Sequence, residues 1–149
     1  MGDATQTGRP GRRAIDRRGL RVLSSEECLT RVRETPMGRV GFALNGRIAI
    51  LPVNHVLDGT DVAFRTSWGS KLQLAADLAQ VAFEVDGHDP GSGSGWSVLV
   101  QGTALLVDRA QDRRHLDALA ADPWVPFEEN TFWVRIRTED VSGREIMRA

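Results

Sequence analysis

The hydrophobic positions change period along the chain, and those changes mark its elements. Residues 1–19 hold Gly, Pro, Thr and Arg with few apolar side chains. They cannot bury enough surface to offset the entropy of ordering, which predicts a disordered basic tail over 1–21 and a folded domain over 22–149. Ser24-Ser25-Glu26-Glu27 has the spacing of a capping box, with Ser24 as N-cap and Glu27 three residues in. Cys28, Leu29 and Val32 then supply one apolar helical face, and Pro36 ends it. From Gly38 the period becomes two: Val40, Phe42 and Leu44 alternate, Asn45-Gly46 signals a tight hairpin, and Ile48 and Ile50 resume in a strand that runs through Pro52-Val53-Asn54. Asp58-Gly59 marks a second turn, and Val62 and Phe64 a third strand.

Residues 67–77 read as a helix with Leu72, Leu74 and Ala75 on its apolar side, and 78–85 as a strand. The Gly- and Ser-rich run 87–95 reads as a flexible hairpin connection. A long strand is expected over 96–107, with Val98, Val100 and Ala104 on one side. A helix over 108–121 follows, carrying Leu116 and Leu119 and broken by Pro123 and Pro126. A last strand covers 132–136, and no element is assigned beyond it. About six strands, mostly in hairpins, and three helices predict a mainly β protein. An antiparallel barrel with peripheral helices suits this order better than a doubly wound parallel sheet.

The 149 residues suit one domain, with 41% hydrophobic and 26% charged residues as in ordinary globular chains. No apolar run approaches the ~20 residues that span a bilayer, so no membrane role is expected. The net charge of −1 conceals an asymmetry. Residues 1–21 carry six Arg and two Asp, and the remainder is acidic, which argues against a nucleic-acid partner for the domain. Cys28 is the only cysteine, so neither an intrachain disulfide nor a thiolate zinc site can form. With no signal-like segment, the cytoplasm is the expected compartment.

The most informative stretch of the domain is Phe64-Arg65-Thr66-Ser67-Trp68-Gly69-Ser70-Lys71, where Arg65 and the only lysine stand among three hydroxyl side chains. A strand ends there and a helix is expected to begin, so charged donors, hydroxyls and free backbone N–H groups meet, as a phosphate requires. An ordinary capped helix with solvent-facing charges fits the same residues; the placement of Lys71 favours phosphate. Gly91-Ser92-Gly93-Ser94-Gly95 lies between two strands with no helix after it, so the strand–loop–helix order of a dinucleotide site is missing. His55, His88 and His115 match no zinc spacing, and no metal is expected. His55 follows the 52–54 strand and is a minor candidate for a proton donor or haem ligand. Cys28 reads as a small buried hydrophobe. No GxSxG elbow exists, and no side chain is assigned as a catalytic acid, base or nucleophile.

Five segments in order, Gly38-Arg39-Val40-Gly41-Phe42, Ile50-Leu51-Pro52-Val53-Asn54, Phe64-Arg65-Thr66 with Gly69 and Lys71, Val81-Ala82-Phe83-Glu84-Val85-Asp86, and Gly95-Trp96-Ser97-Val98-Leu99-Val100-Gln101-Gly102, resemble the pyridoxamine 5′-phosphate oxidase-like family, in its nitroimidazole-resistance-like branch. The resemblance spans roughly residues 22–142. It implies a split β-barrel, homodimeric, binding FMN between subunits in an oxidoreductase for a small-molecule substrate. By that resemblance Arg65, Thr66, Ser67, Ser70 and Lys71 would hold the FMN phosphate. Pro52, Val53 and Asn54 would lie along the ring, with backbone groups on its polar edge. Trp96 and Ser97 would come from the second subunit, and substrate would enter near Trp96, Trp133 or His55. The C-terminal arginine- and histidine-containing signature of the true oxidase is absent, so oxidation of pyridoxamine phosphate is not implied. Relatives in the same groove bind a deazaflavin coenzyme or haem, which stand as alternative cofactors.

Overall fold

The computed structural model describes residues 14–67, 79–120 and 131–146. Seven strands are described: β1 (Arg21–Val22), β2 (Met37–Leu44), β3 (Arg47–Asp58), β4 (Asp61–Ser67), β5 (Ala79–Asp89), β6 (Ser94–Leu106) and β7 (Thr131–Ile146). Two helices, α1 (Ser25–Glu34) and α2 (Ala110–Leu119), pack on them. The helix expected over 67–77 lies, from residue 68 on, outside the described residues. The strands form one sheet in the order β1-β7-β4-β3-β2-β5-β6, and β6 also pairs with β7. Every ladder is antiparallel, so the sheet closes into the expected barrel of six strands with β1 added at its rim.

Local chemistry explains the turns. Asn45 and Gly46 both adopt positive φ (52° and 73°), as the two central positions of a type I′ hairpin demand. Ser24 caps α1 as its spacing predicts: its Oγ accepts from the Glu27 N–H at 3.1 Å, and Glu27 Oε1 accepts from the Ser24 N–H at 3.3 Å. The 87–95 run departs from the expected flexible connection. Gly87, His88 and Asp89 pair with Trp96, Gly95 and Ser94, which leaves a turn of residues 90–93. Asp89 ties that turn down, accepting from the Gly91 N–H at 2.9 Å and from Ser92 Oγ at 3.0 Å. Glycine at 87 answers to packing: a Cβ there would sit 2.8 Å from the Trp96 indole nitrogen.

The strand expected over 132–136 extends over 131–146. Its first part pairs with β4, most of its length with β6, and its end with β1. Pattern reading stops at 136 because the inward positions beyond it are small or sparse. Gly143 lies against Cys28 of α1, where a Cβ would come within 2.7 Å of the sulfur. Residues 14–21 fall on the tail side of the expected boundary, yet here they fold against β7. Their charges account for this: Arg21 pairs with Glu27 and Glu145, and Asp16 accepts from Arg144 at 3.1 Å.

The barrel interior is filled. Val40, Phe42, Phe64, Phe83, Val98, Val100 and Ile136 are buried there, with Cys28 and Val32 of α1 plugging one end. A second, smaller cluster lies outside the wall, where Leu116 of α2 covers Ala63 and Trp133. No described helix is long and apolar enough to cross a membrane.

Two expectations test this packing. At the irregularity between Gln101 and Gly102, a Cβ on Gly102 would fall 2.1 Å from the Arg137 carbonyl oxygen. Backbone cannot yield as a side-chain tip can, so Gly102→Ala is expected to destabilise by ~2 kcal/mol or more, lowering Tm by about 5 °C in a thermal melt. His55 is buried, its Nε2 is 2.8 Å from the Val32 carbonyl, and its ring meets Phe83 edge-on at 4.8 Å. Burial pushes its pKa below the usual imidazole range, against a smaller opposing effect of hydrogen bonds to backbone. The unfolded chain, with an ordinary histidine pKa of ~6.5, therefore takes up a proton that the fold resists. Stability should be level above about pH 6.5 and fall as pH drops below it. His55→Gln, which keeps a donor for Val32 but does not titrate, should show a smaller Tm loss between pH 7.5 and 5.5; parallel losses would refute this.

Candidate functional site

Strand β3 carries the first half of the site. Strand alternation sends Val53 and His55 into the core and Pro52 and Asn54 to the outer wall. Among the described residues β3 pairs with β4 only over His55–Asp58, while β2 pairs along 47–54. The β4-side edge of 47–54 is therefore an open strand edge among those residues, where a proline without an N–H is tolerated. The Asn54 Oδ1 atom is buried and has no hydrogen-bond partner among the described residues. A buried acceptor without a donor is costly, and a bound donor would relieve it.

Strand β4 brings the second half alongside. The β3–β4 ladder includes His55↔Phe64, so Asn54 and Arg65 flank its last pair on neighbouring strands. Arg65 and Ser67 share the outer parity of Asn54, and Thr66 carries the inner parity of Phe64. Arg65 reaches under α2: its Nε donates to Thr131 Oγ1 at 2.9 Å and its Nη1 to Asp117 Oδ1 at 3.3 Å. Thus 52–54 and 65–67 meet on one wall. Ser70 and Lys71 lie outside the described residues.

Trp96 and Ser97 sit elsewhere. β7 pairs with both β4 and β6, but it sets Trp133 opposite Arg65 and Glu145 opposite Trp96, so the two positions lie 12 residues apart along β7 (145 against 133). Trp96 faces inward at the barrel mouth, with the Arg31 guanidinium 4.8 Å from its ring centre, and Ser97 faces out. They line a groove of about 370 Å³ with Leu20, Asp86, Gly87 and Arg144, which no motif marks in advance. Between the two halves, Arg39 donates to Glu84 at 2.9 Å and to Asp86 at 3.4 Å. Burial, with the hydrogen bond to the neighbouring Asp86 carboxyl next and its charge after that, raises the Glu84 pKa above the usual carboxylate range against the pull of Arg39.

Two candidates, His55 and Trp133, are relocated by the structure, and Cys28 is where its sequence reading put it. His55 is neither a haem ligand nor an external proton donor: Nε2 meets the Val32 carbonyl, and Nδ1 is enclosed in the core. Trp133 is buried beneath α2, with its Nε1 donating to Asp117 at 2.9 Å, so it does not face an entering substrate. Cys28 is fully buried and its thiol pKa is pushed up by burial, as suits a packing residue. Among the described residues no three His, Cys, Asp or Glu side chains converge on a metal position. Two partners of Arg65 among the described residues, Asp117 and Thr131, carry no sequence signature: they lie 52 and 66 residues away and are joined to it only by topology.

Against known proteins, the family model described as pyridoxamine 5′-phosphate oxidase matches residues 24–145. An uncharacterised protein of Mycobacterium tuberculosis is 36% identical over 131 residues, covering 84% of each chain. Among solved structures, an FAD binding protein from Mycobacterium smegmatis is 32% identical, covers 85% of this chain and 99% of that one, and has a TM-score of 0.74. A conserved protein of unknown function from Corynebacterium diphtheriae is 33% identical, with 86% and 98% coverage and a TM-score of 0.72.

Proposed function

The chain belongs to the pyridoxamine 5′-phosphate oxidase family, and from that premise we propose that it binds a flavin, FMN, on the outer wall of β3 and β4. The observation that carries this reading is the meeting of Arg65 with a β3 edge that is open, and an Asn54 Oδ1 that is partnerless, among the described residues. Arg65 and Ser67, with Ser70 and Lys71 next along the chain, hold the phosphate by charge-assisted and hydroxyl hydrogen bonds, and Thr66, of inner parity, takes part through its backbone. Pro52 and Asn54 lie along the ring, with the Val53 backbone between them, and Asn54 Oδ1 accepts from a ring N–H. A bound flavin supplies hydride or single-electron transfer, chemistry that no side chain on this wall supplies. The protein's part is to bind, orient and shield the ring in an oxidoreductase for a small-molecule substrate. FAD is a second reading, favoured by the FAD binding relative at 32% identity, and would use the same phosphate site.

A second copy completes the site in this proposal. One convex wall cannot enclose a ring, and Trp96 and Ser97 pair with the far end of β7 (Glu145 and Arg144) from the Trp133 that faces Arg65 in the same chain. Self-association has a surface to act through. Ile48 is 83% exposed and Ile50 66%, both on the outer face of β3 beside Pro52, and Met37 of β2 is exposed next to Asn54. Exposed aliphatic side chains clustered on one wall favour a contact that removes them from water.

Two measurements test the proposal. Protein purified without added cofactor, or titrated with FMN, should show flavin absorbance, and mass spectrometry of the released molecule separates FMN from FAD. Replacing Arg65 and Lys71 together by Ala should weaken FMN binding by ~100-fold or more, since each charged contact contributes ~1.5–3 kcal/mol. An unchanged dissociation constant, or activity only with a reduced deazaflavin, would remove FMN from this site. Light scattering should give about twice the chain mass at micromolar concentration. Ile50→Glu should shift the protein toward monomer and lower FMN affinity with it.

A further inference from the structure

We propose that Asp117, together with Thr131, is a positioning residue that aims the Arg65 guanidinium at the flavin phosphate. The inference rests on the phosphate-site reading of Arg65 given above. An arginine on an outer strand face has many rotamers, and holding one of them costs side-chain entropy at the moment of binding. Arg65 is restrained beforehand from two directions. Thr131 Oγ1 accepts from Nε at 2.9 Å, Asp117 Oδ1 accepts from Nη1 at 3.3 Å, and the guanidinium carbon lies 5.8 Å from the centre of the Trp133 ring. A planar group held through Nε and Nη1 has its plane fixed.

Asp117 is itself held in place independently of Arg65. The Trp133 indole N–H donates to the same Oδ1 at 2.9 Å. Its neighbours on α2 anchor the helix: Leu116 is buried against Ala63 and Trp133, and His115 Nε2 lies 3.0 Å from Asp58 Oδ1. Arg65 and Trp133 are cross-strand partners of β4 and β7, so one carboxylate oxygen ties both strands to one turn of helix. As a stabilising ion pair this is poor, because Asp117 is half exposed and the distance is long. As a fixed acceptor that sets the direction of Arg65, it is well built. The oxygen and its placement matter here more than the charge, so Asn can serve at 117 and Ala cannot.

The test compares FMN with riboflavin, which has the ring and no phosphate, by fluorescence titration of the full chain. Asp117→Ala should weaken FMN about tenfold and leave riboflavin unchanged, while Asp117→Asn stays within about threefold of the parent. Thr131→Val, close in shape to the native residue, should give the same selective loss if Asp117→Ala does not fold. In an Arg65→Ala background, Asp117→Ala should have no further effect. Unchanged or tighter FMN binding in Asp117→Ala would overturn the assignment, with tighter binding marking the carboxylate as a competing anion. Equal losses for FMN and riboflavin would also overturn it, marking a purely structural role. If Arg65→Ala leaves the preference for FMN over riboflavin intact, the phosphate reading fails first and the role of Asp117 fails with it.

Discussion

The closing ladder between β6 and β7 is the interaction on which the rest of the molecule depends. Without it the sheet would be an open meander with β6 and β7 as unpaired edges, and the aromatic and aliphatic side chains on its concave face would lack a far wall. Closure makes specific demands on both strands. β7 must run 16 residues to meet β4 at its start, β6 along most of its length and β1 at its end. β6 must shift register between Gln101 and Gly102 to follow it, with only a hydrogen in place of a side chain at Gly102. α1 then seals the end at which Gly143 leaves room for Cys28. The ion pairs around Glu145, to Arg21 and Arg31, hold the last turn of the barrel to the entering chain and the helix.

What could be read in advance was whatever depends on neighbours in sequence. The capping box at Ser24 and Glu27 and the Asn45-Gly46 hairpin are both local, since a few residues determine the hydrogen bonds or the φ angles that each needs. The same holds for strands with a strict inward alternation, such as Val40 and Phe42. The extended β7 and the two-residue β1 were not legible, because pairing to distant strands defines them and their inward positions include glycine and few large apolar residues. The Gly- and Ser-rich run 87–95 misled for a related reason. Gly87 answers to the bulk of Trp96 across the ladder, a contact between strands that composition cannot register.

The site divides along the same line. Arg65, Thr66 and Ser67 were visible as charge and hydroxyls at a strand end, and Pro52 to Asn54 through a resemblance of motifs. The structure brings these two segments together on one wall. Two partners of Arg65 were invisible, because Asp117 and Thr131 reach it only through the way α2 lies over β4 and β7. His55 was a candidate by proximity in sequence to Asn54, but adjacent strand residues face opposite sides. The pleat that turns Asn54 to the outer wall buries His55 in the core.

A barrel of this size also constrains where any cofactor can go. Six strands leave an interior that side chains fill, here Phe42, Phe64 and Phe83 among them, so no ring fits inside. Binding must use the outer wall, and an outer wall is convex. A flat ring on a convex surface keeps one face in water unless a second body covers it. The described helices do not cover 52–54: α1 plugs the barrel end and α2 lies over Ala63 and Trp133. The same stretch of wall carries exposed Ile48 and Ile50, which are costly to leave in water and serve no purpose inside one chain. Under the proposed reading, cover for the ring and burial for the isoleucines are one requirement, which a second copy of the chain would meet by bringing its own Trp96 and Ser97 to this wall.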